Sequence, residues 1–301
     1  MSFSKAQPPK PARRNMPSAT PEAPRVAFLD ILHAPRRVPL VMGIVNVTPD
    51  SFYPGSRAAG SEGAIALALS LGAQGADIID IGGQSTRPGS DPVSEEEELA
   101  RVLPVVEALA GRVDAPLSID TDKARVAREC LAAGAAIVND VSALRNDPRM
   151  AEAAKCAEAV VLMHRGGVSP KTMQDDPHYD DVVKEVKEFL IERRTAFLRA
   201  GGAAARLLFD PGIGFGKNLA HNLSLIKHID EFAALGPVVL GASRKSFLGR
   251  LAADAGPQDR LEGSLAVACW AALRGVRVLR VHDVRSTRKA LAALDAVRAA
   301  D

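Results

Sequence analysis

The sequence predicts an α/β protein of the (β/α)8 class, a TIM barrel. The chain has 301 residues, of which 47% are hydrophobic, a length that suits one α/β barrel or two ordinary domains. From Val38 onward, short β-branched runs alternate eight times with longer segments of helical spacing, which is the pattern of βα units and a parallel sheet. No Gly-x-Gly-x-x-Gly turn follows the first run, which favours a closed barrel over the alternative, a doubly wound flavodoxin-like or Rossmann sheet.

The predicted strands are short apolar runs bounded by polar or turn-forming residues. In chain order they are VPLVMGIVNV (38–47), ADIIDIG (76–82), PLSID (116–120), AAIVNDV (135–141), EAVVLMH (158–164), RLLFDPG (206–212), PVVLGAS (237–243) and VRVLRVHD (276–283). Amphipathic segments lie between them, and several end near a glycine that can adopt the left-handed helix cap. The clearest of these segments are SEEEELARVLPVVEALAG (94–111), DDVVKEVKEFLIERRTAFLRAG (180–201) and RLEGSLAVACWAALRG (260–275).

The first 37 residues differ in composition from the rest of the chain. They hold seven Lys or Arg residues against Glu22 and Asp30, together with seven prolines. The Arg13-Arg14 pair is not followed by the apolar segment that a secretory signal requires. We therefore predict a disordered, basic, proline-rich arm over 1–37 and a single barrel domain over 38–301.

Composition also limits the compartment and the partners. The formal net charge is +2, and since the arm is basic, the rest of the chain is weakly acidic, so a nucleic-acid partner is not expected. The sequence contains no run of about 18 uncharged apolar residues, so no membrane span is predicted. Cys130, Cys156 and Cys269 are too few for a disulfide framework and form no Cys-x-x-Cys pair, which predicts reduced core thiols in a cytoplasmic protein.

Polar residues occur where almost every predicted strand stops. The strand-end residues are Asn46, Ser85, Thr86, Arg87, Asp120, Asn139, Asp140, Met163, His164, Asp210, Arg244, Lys245, Arg280 and His282. In a barrel these ends converge on the face where barrel enzymes build their active sites. For any single residue a simpler interpretation stays open: Asp120 could cap the following helix, and Asp140 could satisfy a turn.

Three basic residues of this set are suited to an anion. Arg280 and His282 lie two residues apart in a strand, so their side chains point to the same face. Together with Arg87 they could bind a diphosphate-like group, to which Arg offers a planar fork of donors. The glycine-rich segment DPGIGFGKN (210–218) is not a P-loop, because no Gly-Lys-Ser/Thr completes it.

The remaining residues suit a flat heterocycle with several N–H donors. Asp120 and Asp210 supply acceptors, Asn139 supplies an amide, and Lys245 adds a positive donor for a ring carbonyl or ring nitrogen. Phe215 is available to stack on such a ring.

Seven motifs, in order along the chain, resemble those of dihydropteroate synthase. They are MGIVNVTPDSF (42–52), DIGGQSTRPG (80–89), SIDT (118–121), NDVS (139–142), DPGIGFGK (210–217), GASRKSFLG (241–249) and RVHDV (280–284). The resemblance covers Val38 to the carboxyl terminus. It implies a (β/α)8 barrel, usually dimeric, that uses Mg²⁺ and joins 6-hydroxymethyl-7,8-dihydropterin diphosphate to 4-aminobenzoate, releasing diphosphate and forming 7,8-dihydropteroate for folate.

Position by position, the resemblance implies four sets of roles. The pterin would be held by Asp120, Asn139, Met163, Asp210, Phe215 and Lys245. The diphosphate would be bound by Asn46, Arg87, Arg280 and His282, with Asn46 also meeting Mg²⁺. The aminobenzoate would be surrounded by Phe52, Thr86, Pro88 and Ser246. The catalytic groups would be Asp120, Asp210, Lys245 and Arg87.

Two positions depart from the family pattern, and two rival functions follow from the same residues. Pro54 and Gln84 stand where acidic residues are common, and both changes remove a negative charge. A pterin-binding domain that passes a methyl group from methyltetrahydrofolate to a corrinoid would share the Asp and Asn positions, but it has no use for STRPG or SRKS. A non-catalytic paralogue that binds pterins is the second rival.

Overall fold

The computed structural model describes residues 27–47, 57–85, 91–167, 177–253 and 256–300. Within these ranges, eight strands alternate with helices along the chain. The strands are β1 (Leu40–Asn46), β2 (Ile78–Gly82), β3 (Leu117–Asp120), β4 (Ile137–Asp140), β5 (Ala159–Met163), β6 (Leu207–Asp210), β7 (Val239–Leu240) and β8 (Val278–Val281). Each lies inside one of the eight runs that the sequence predicts, so all eight predicted strands are confirmed.

The strands form one parallel sheet that closes on itself. Their order is β6-β5-β4-β3-β2-β1-β8-β7, with β1 paired in parallel to both β2 and β8. Between the two ends of this order, Phe209 bridges Val238 in the parallel sense, and the Phe209 N–H donates to the Pro237 carbonyl at 2.9 Å. The (β/α)8 prediction is therefore confirmed, and the doubly wound alternative, which would leave two open edges, is wrong.

The described helices pack around the barrel, except the first, which packs at its amino end. They are α1 (Phe28–His33), α2 (Arg57–Ala73), α3 (Glu95–Leu109), α4 (Ala124–Ala132), α5 (Met150–Ala154), α6 (Val182–Arg199), α7 (Leu219–Lys227), α8 (Ser246–Leu251), α9 (Leu261–Leu273) and α10 (Val284–Ala299). The three amphipathic segments named above correspond to α3, α6 and α9, each followed by a glycine at positive φ: Gly111, Gly201 and Gly275. Among the described helices, none has the length and apolar character to cross a membrane.

The barrel interior is apolar at its amino end and polar at its carboxyl end. Alternate residues of a strand share a face, and on β2 Ile78 faces inward while Ile79 packs against the surrounding helices. Two residues beyond Ile78, the same face of β2 carries Asp80. On β8 the inward Val278 is followed in the same way by Arg280. The change from apolar to polar along single strands places the charged groups at one end of the barrel.

Helix α1 packs against the amino end of the barrel, so the predicted disordered arm over 1–37 is wrong for Phe28–His33. Phe28 and Leu32 are 2% and 1% exposed and pack in one cluster with inward-facing strand residues such as Leu40. The Arg277 Nη2 donates to the Ile31 carbonyl at 2.9 Å and to the Ala34 carbonyl at 2.6 Å. These bonds give partners to carbonyl groups at the end of the helix that have none within it. Residues 1–26 lie outside the described ranges.

The cysteines only partly match the prediction of core thiols. Cys130 is buried, but Cys156 is exposed and Cys269 is partly buried. All three are free thiols, as predicted. The prediction of a core position is wrong for Cys156, which lies just beyond the end of the short helix α5.

Candidate active site

Polar side chains from four strands meet at the carboxyl end of the barrel. Asp120 ends β3 and pairs in register with Asn139 of β4, while Asp210 ends β6 and pairs with Met163 of β5. Arg280, from β8, reaches across to the carboxylate of Asp120. The structure therefore brings together Asp120 and Arg280, which are 160 positions apart in the chain.

Arg280 is the centre of a network of buried charges. Its Nε donates to Asp80 Oδ2 at 2.6 Å, and its Nη2 donates to Asp120 Oδ2 at 2.7 Å. The Asn139 amide also donates to Asp80 Oδ2, at 3.2 Å. The Asp80 side chain is 0% exposed and that of Asp120 only 10%, so one guanidinium pairs with two carboxylates that water hardly reaches.

Sequence reasoning gave Asp80 no role. The sequence nevertheless contained a hint: Asp80 is an acid within the apolar run ADIIDIG. It lies two residues after Ile78 and therefore on the same face of the strand as that apolar side chain. An ionised carboxylate in such a run requires a buried partner. The identity of that partner, Arg280, could not be read from the sequence.

Burial and charge shift the pKa of two of these groups. Burial raises the pKa of the Asp120 carboxyl to about 7, against the opposing effect of Arg280 and with a further upward contribution from Asp80. Burial by itself would lower the pKa of the Arg280 guanidinium, but the carboxylates of Asp80 and Asp120 raise it above its ordinary value. Arg280 therefore stays charged, whereas Asp120 titrates near neutrality.

A second acid and base pair lies beside this network. Burial raises the pKa of Asp210, and Lys245 opposes that effect. Burial lowers the pKa of the Lys245 ammonium to about 7, and Asp210 again opposes the shift. Groups whose pKa values are displaced by burial together with a specific charged neighbour are typical of functional sites.

Lys245 and the loop after β6 line one wall of the site. The Lys245 Nζ lies 4.3 Å from the centroid of the Phe215 ring and donates to the Ile213 carbonyl. On the same loop, the Asp210 Oδ1 accepts from the Gly212 N–H at 2.7 Å. The Asp210 carboxylate and the Phe215 ring therefore lie at the end of β6 and on the loop after it, and the Lys245 ammonium, which follows β7, lies beside them.

The other described site residues lie around the rim. Asn46 is partly buried at the end of β1, Met163 is 5% exposed at the end of β5, and Ser246 is exposed as the first residue of α8. His282 follows β8, and its Nδ1 lies 3.1 Å from the Ser243 Oγ. No described residues form a cluster of three or more His, Cys, Asp or Glu side chains able to hold a metal.

Two simpler interpretations of strand-end residues can now be judged. Asp140 is a turn former, since its carboxylate accepts the N–H groups of Ser142 at 2.6 Å and Leu144 at 2.9 Å. Asp120 does not cap the following helix, because its carboxylate is bonded to Arg280. At the first residue of that helix, the Ala124 N–H donates instead to Asp147.

Several predicted residues fall outside the described ranges. These are Phe52, Pro54, Thr86, Arg87 and Pro88. Gln84, from the same motif as Thr86 and Arg87, is described. Its Oε1 accepts from the Lys123 Nζ at 2.6 Å, and the same ammonium bonds to Glu98 Oε2 at 2.5 Å. Gln84 therefore has a defined partner although it lacks the charge common at this position in the family.

These features define a barrel enzyme with a polar, charge-compensated pocket at the carboxyl ends of its strands. Comparison with known proteins specifies the class. A family model described as pterin binding enzyme matches residues 42–282, and the chain belongs to this family, among the dihydropteroate synthases.

Three similar proteins illustrate the match. The dihydropteroate synthase of Escherichia coli K12 is 47% identical over 273 residues, which cover 90% of this chain and 94% of the relative. The solved structure of Xanthomonas albilineans dihydropteroate synthase with 4-aminobenzoic acid has 49% identity and a TM-score of 0.82, covering 88% of this chain and 94% of that one. Yersinia pestis dihydropteroate synthase in complex with a sulfonamide drug has 46% identity and a TM-score of 0.82, covering 87% and 95%.

Proposed function

We propose that the pocket formed by Asp120, Asn139, Asp210 and Lys245 holds the pterin of 6-hydroxymethyl-7,8-dihydropterin diphosphate and joins it to 4-aminobenzoate. The products are 7,8-dihydropteroate and diphosphate, and the chain is a transferase of folate biosynthesis. The relatives named above are dihydropteroate synthases and give no support to the methyltransferase alternative. The observation that supports the site assignment most directly is the buried charge network at the carboxyl end of the barrel.

The pterin half-site follows from the donors and acceptors of the described residues. Asp210 and Asn139 offer a carboxylate and an amide to the ring nitrogens and the amino group, and Lys245 offers an ammonium to a ring acceptor. Phe215 offers its face for stacking, and Met163 supplies a polarisable apolar wall. Because these side chains are held within a packed barrel, the pterin binds with little reorganisation of the protein.

The reaction breaks the C–O bond between the pterin methylene and diphosphate and forms a C–N bond to the arylamine, which then loses a proton. As the C–O bond breaks, positive charge develops on the methylene and negative charge on the leaving group. Carboxylates of Asp120 and Asp210 stabilise the cation from a site of low dielectric, where fixed charges act strongly. The arylamine needs no strong general base to attack such a carbon.

Arg280 serves both ends of this bond. A guanidinium has five N–H donors, and the contacts with Asp80 and Asp120 use two of its nitrogens, which leaves donors for the departing anion. His282 adds a second donor beside Arg280 on the same strand end. Arg87, outside the described residues, completes this anion site in our proposal.

Mg²⁺ suits the donors on this side of the pocket. The ion prefers oxygen ligands and is commonly held by one or two protein groups together with substrate phosphates, and Asn46 presents an amide at the end of β1. We assign Asn46 to Mg²⁺ on this basis. When bound, the ion would neutralise charge on the diphosphate.

The aminobenzoate half-site rests mainly on the resemblance. Ser246, exposed at the first residue of α8, is the described member. Phe52, Thr86 and Pro88 are the others, and all three lie outside the described ranges. We also propose, from the resemblance, that the protein is a homodimer, and, from its few unpaired cysteines, that it is cytoplasmic.

The proposal is tested with purified protein, Mg²⁺ and both substrates. We expect diphosphate release that depends on 4-aminobenzoate, formation of 7,8-dihydropteroate by mass spectrometry, and competition between a sulfonamide and 4-aminobenzoate. Diphosphate release that is independent of 4-aminobenzoate would indicate hydrolysis and contradict the synthase assignment. No release at all would also contradict it and would favour the non-catalytic alternative. Size-exclusion chromatography with light scattering checks the dimer.

A further inference from the structure

Lys217 is a buried lysine that the proposed reaction does not use. It is 3% exposed, although a lysine is almost never buried unless its ammonium group is paired. Its Nζ lies 2.8 Å from His164 Nδ1, 2.9 Å from the Gly212 carbonyl and 3.0 Å from the Phe215 carbonyl. Burial and the nearby Lys245 lower the pKa of Lys217 well below its ordinary value, with Asp210 opposing the shift, and these three contacts hold its Nζ in place in either charge state.

These three contacts join two loops at the carboxyl end of the barrel. His164 follows β5, whereas Gly212 and Phe215 belong to the loop after β6. The two loops pack so closely that a Cβ on Gly212 would lie 1.8 Å from the His164 carbonyl oxygen. Gly212 also has a φ of +70°, so no other residue fits there without strain. Lys217 bonds across the region where this fit is tightest.

His164 is an acceptor suited to this lysine. Burial, the nearby Lys217 and Arg145 all lower the pKa of His164 well below its ordinary value, so the imidazole is neutral and can accept at Nδ1. The ring packs edge-on against Phe189, with centroids 4.8 Å apart. A neutral imidazole held by packing on one side and by Lys217 on the other gives this junction a fixed geometry.

The loop that Lys217 holds carries groups of the pterin half-site. Phe215 contributes its ring, and the Ile213 carbonyl accepts from Lys245. At the other end of the loop, Asp210 is bonded to the Gly212 N–H. A shift of this loop would therefore displace the Phe215 ring and the Lys245 ammonium together.

We propose that Lys217 is a positioning residue for the pterin: by bonding to His164 and to the Gly212 and Phe215 carbonyls, it sets the Phe215 ring and the Lys245 ammonium against the substrate. The inference deepens the proposed function and rests on it. Lys217 itself does not touch the substrate, because its buried Nζ is enclosed by His164 and by the Gly212 and Phe215 carbonyls. Misplacement of a site by about 1 Å can cost roughly 100-fold in rate, so the effect of removing Lys217 is measurable.

The test compares Lys217→Met with a matched control, Arg206→Met. Arg206 stands just before β6, at its opposite end, and also bonds to two backbone carbonyls, those of Lys155 at 2.7 Å and Ala157 at 3.0 Å. Both variants lose stability, since each removes two side-chain hydrogen bonds to backbone carbonyls. We expect Lys217→Met to raise KM and Kd for the pterin diphosphate at least about tenfold, with KM for 4-aminobenzoate changed less than about twofold. Arg206→Met leaves all three constants unchanged.

The outcomes separate positioning from simple stabilisation. If Lys217→Met only lowers the melting temperature and keeps both KM values, as the control does, the inference is wrong; equal rises in both KM values would also overturn it. Should Lys217→Met fail to fold, His164→Leu removes one acceptor and is expected to raise Kd for the pterin diphosphate by a smaller factor, and no rise there refutes the proposal. A wild-type protein without activity would instead refute the proposed function, while titration calorimetry of the pterin diphosphate would still test Lys217.

Discussion

Replacing Arg280 by Met removes the only guanidinium bonded to both Asp80 and Asp120 within the described part of the chain. Methionine keeps much of the length of the side chain and removes the charge. In the variant, two carboxylates that are 0% and 10% exposed face each other without their shared counterion. The prediction concerns the stability of the folded protein and does not depend on the substrate.

The structure indicates a large loss. Removing one partner of a buried ion pair costs about 3–5 kcal/mol, because the remaining charge is buried without compensation. Without Arg280, Asp80 would keep only the neutral Asn139 amide, 3.2 Å from Oδ2, because Oδ1 has no hydrogen-bond partner among the described residues. We therefore expect Arg280→Met to lower the free energy of unfolding by about 4 kcal/mol above pH 7.

The loss depends on pH with a defined sign. Without Arg280, the carboxyl pKa of Asp120, already about 7 in the intact protein, rises further. A carboxyl whose pKa is higher in the folded than in the unfolded state binds a proton in the folded state first, so folding becomes more favourable as the pH falls. The variant should therefore regain stability as the pH falls from about 8 toward 5.

Urea unfolding at several pH values measures this effect. Lys187→Met is the control, since Lys187 pairs with Glu231 at 2.9 Å at the surface and should contribute less than about 1 kcal/mol. The double variant Asp80→Asn with Arg280→Met should lose less than the sum of the single losses, because the two residues interact. A loss no larger than that of the control, or strict additivity, would refute the reasoning.

Three further predictions follow from the site and the fold. The pH profile of kcat/KM should peak near 7. It should fall on the acid side as Asp120, with its pKa of about 7, takes up a proton, and on the alkaline side as Lys245, with its pKa of about 7, loses one. A flat profile from pH 5 to 9 would count against both roles. Asp120→Asn should lower kcat about 100-fold while changing KM for the pterin diphosphate less than about threefold, whereas equal losses in steady-state kinetics would indicate simple substrate binding. Phe28→Ala should lower the free energy of unfolding by about 3 kcal/mol with both KM values unchanged, and an unchanged urea midpoint would mean that α1 does not stabilise the barrel.

The sequence by itself determined the barrel and the face that carries the site. Each strand is a short apolar run with its own boundaries, and the segments between the runs have helical spacing, so every βα unit could be read locally. The strand-end positions of Asp120, Asn139 and Asp210 follow from the same reading, because the carboxyl ends of parallel strands meet at one face of a barrel.

Local patterns failed where the decisive contact was distant in the chain. The six residues of α1 lie in a proline-rich, basic stretch, and only packing of Phe28 and Leu32 against the barrel interior makes them helical, since so short a helix is not stable alone. Asp140 and Asp120 look alike in sequence, yet one bonds to its own turn and the other to a different strand.

Only the tertiary structure decided which charges compensate one another. Asp80 and Arg280 are 200 residues apart, and they meet because β1 lies between β2 and β8 in the closed barrel. Lys217 and His164 are 53 residues apart and meet because the loops after β5 and β6 are neighbours. A residue's type and strand position are encoded locally, but its buried partner is set by closure of the barrel. Closure removes water from the interior, so each buried charge must be paired with a side chain that the fold brings next to it.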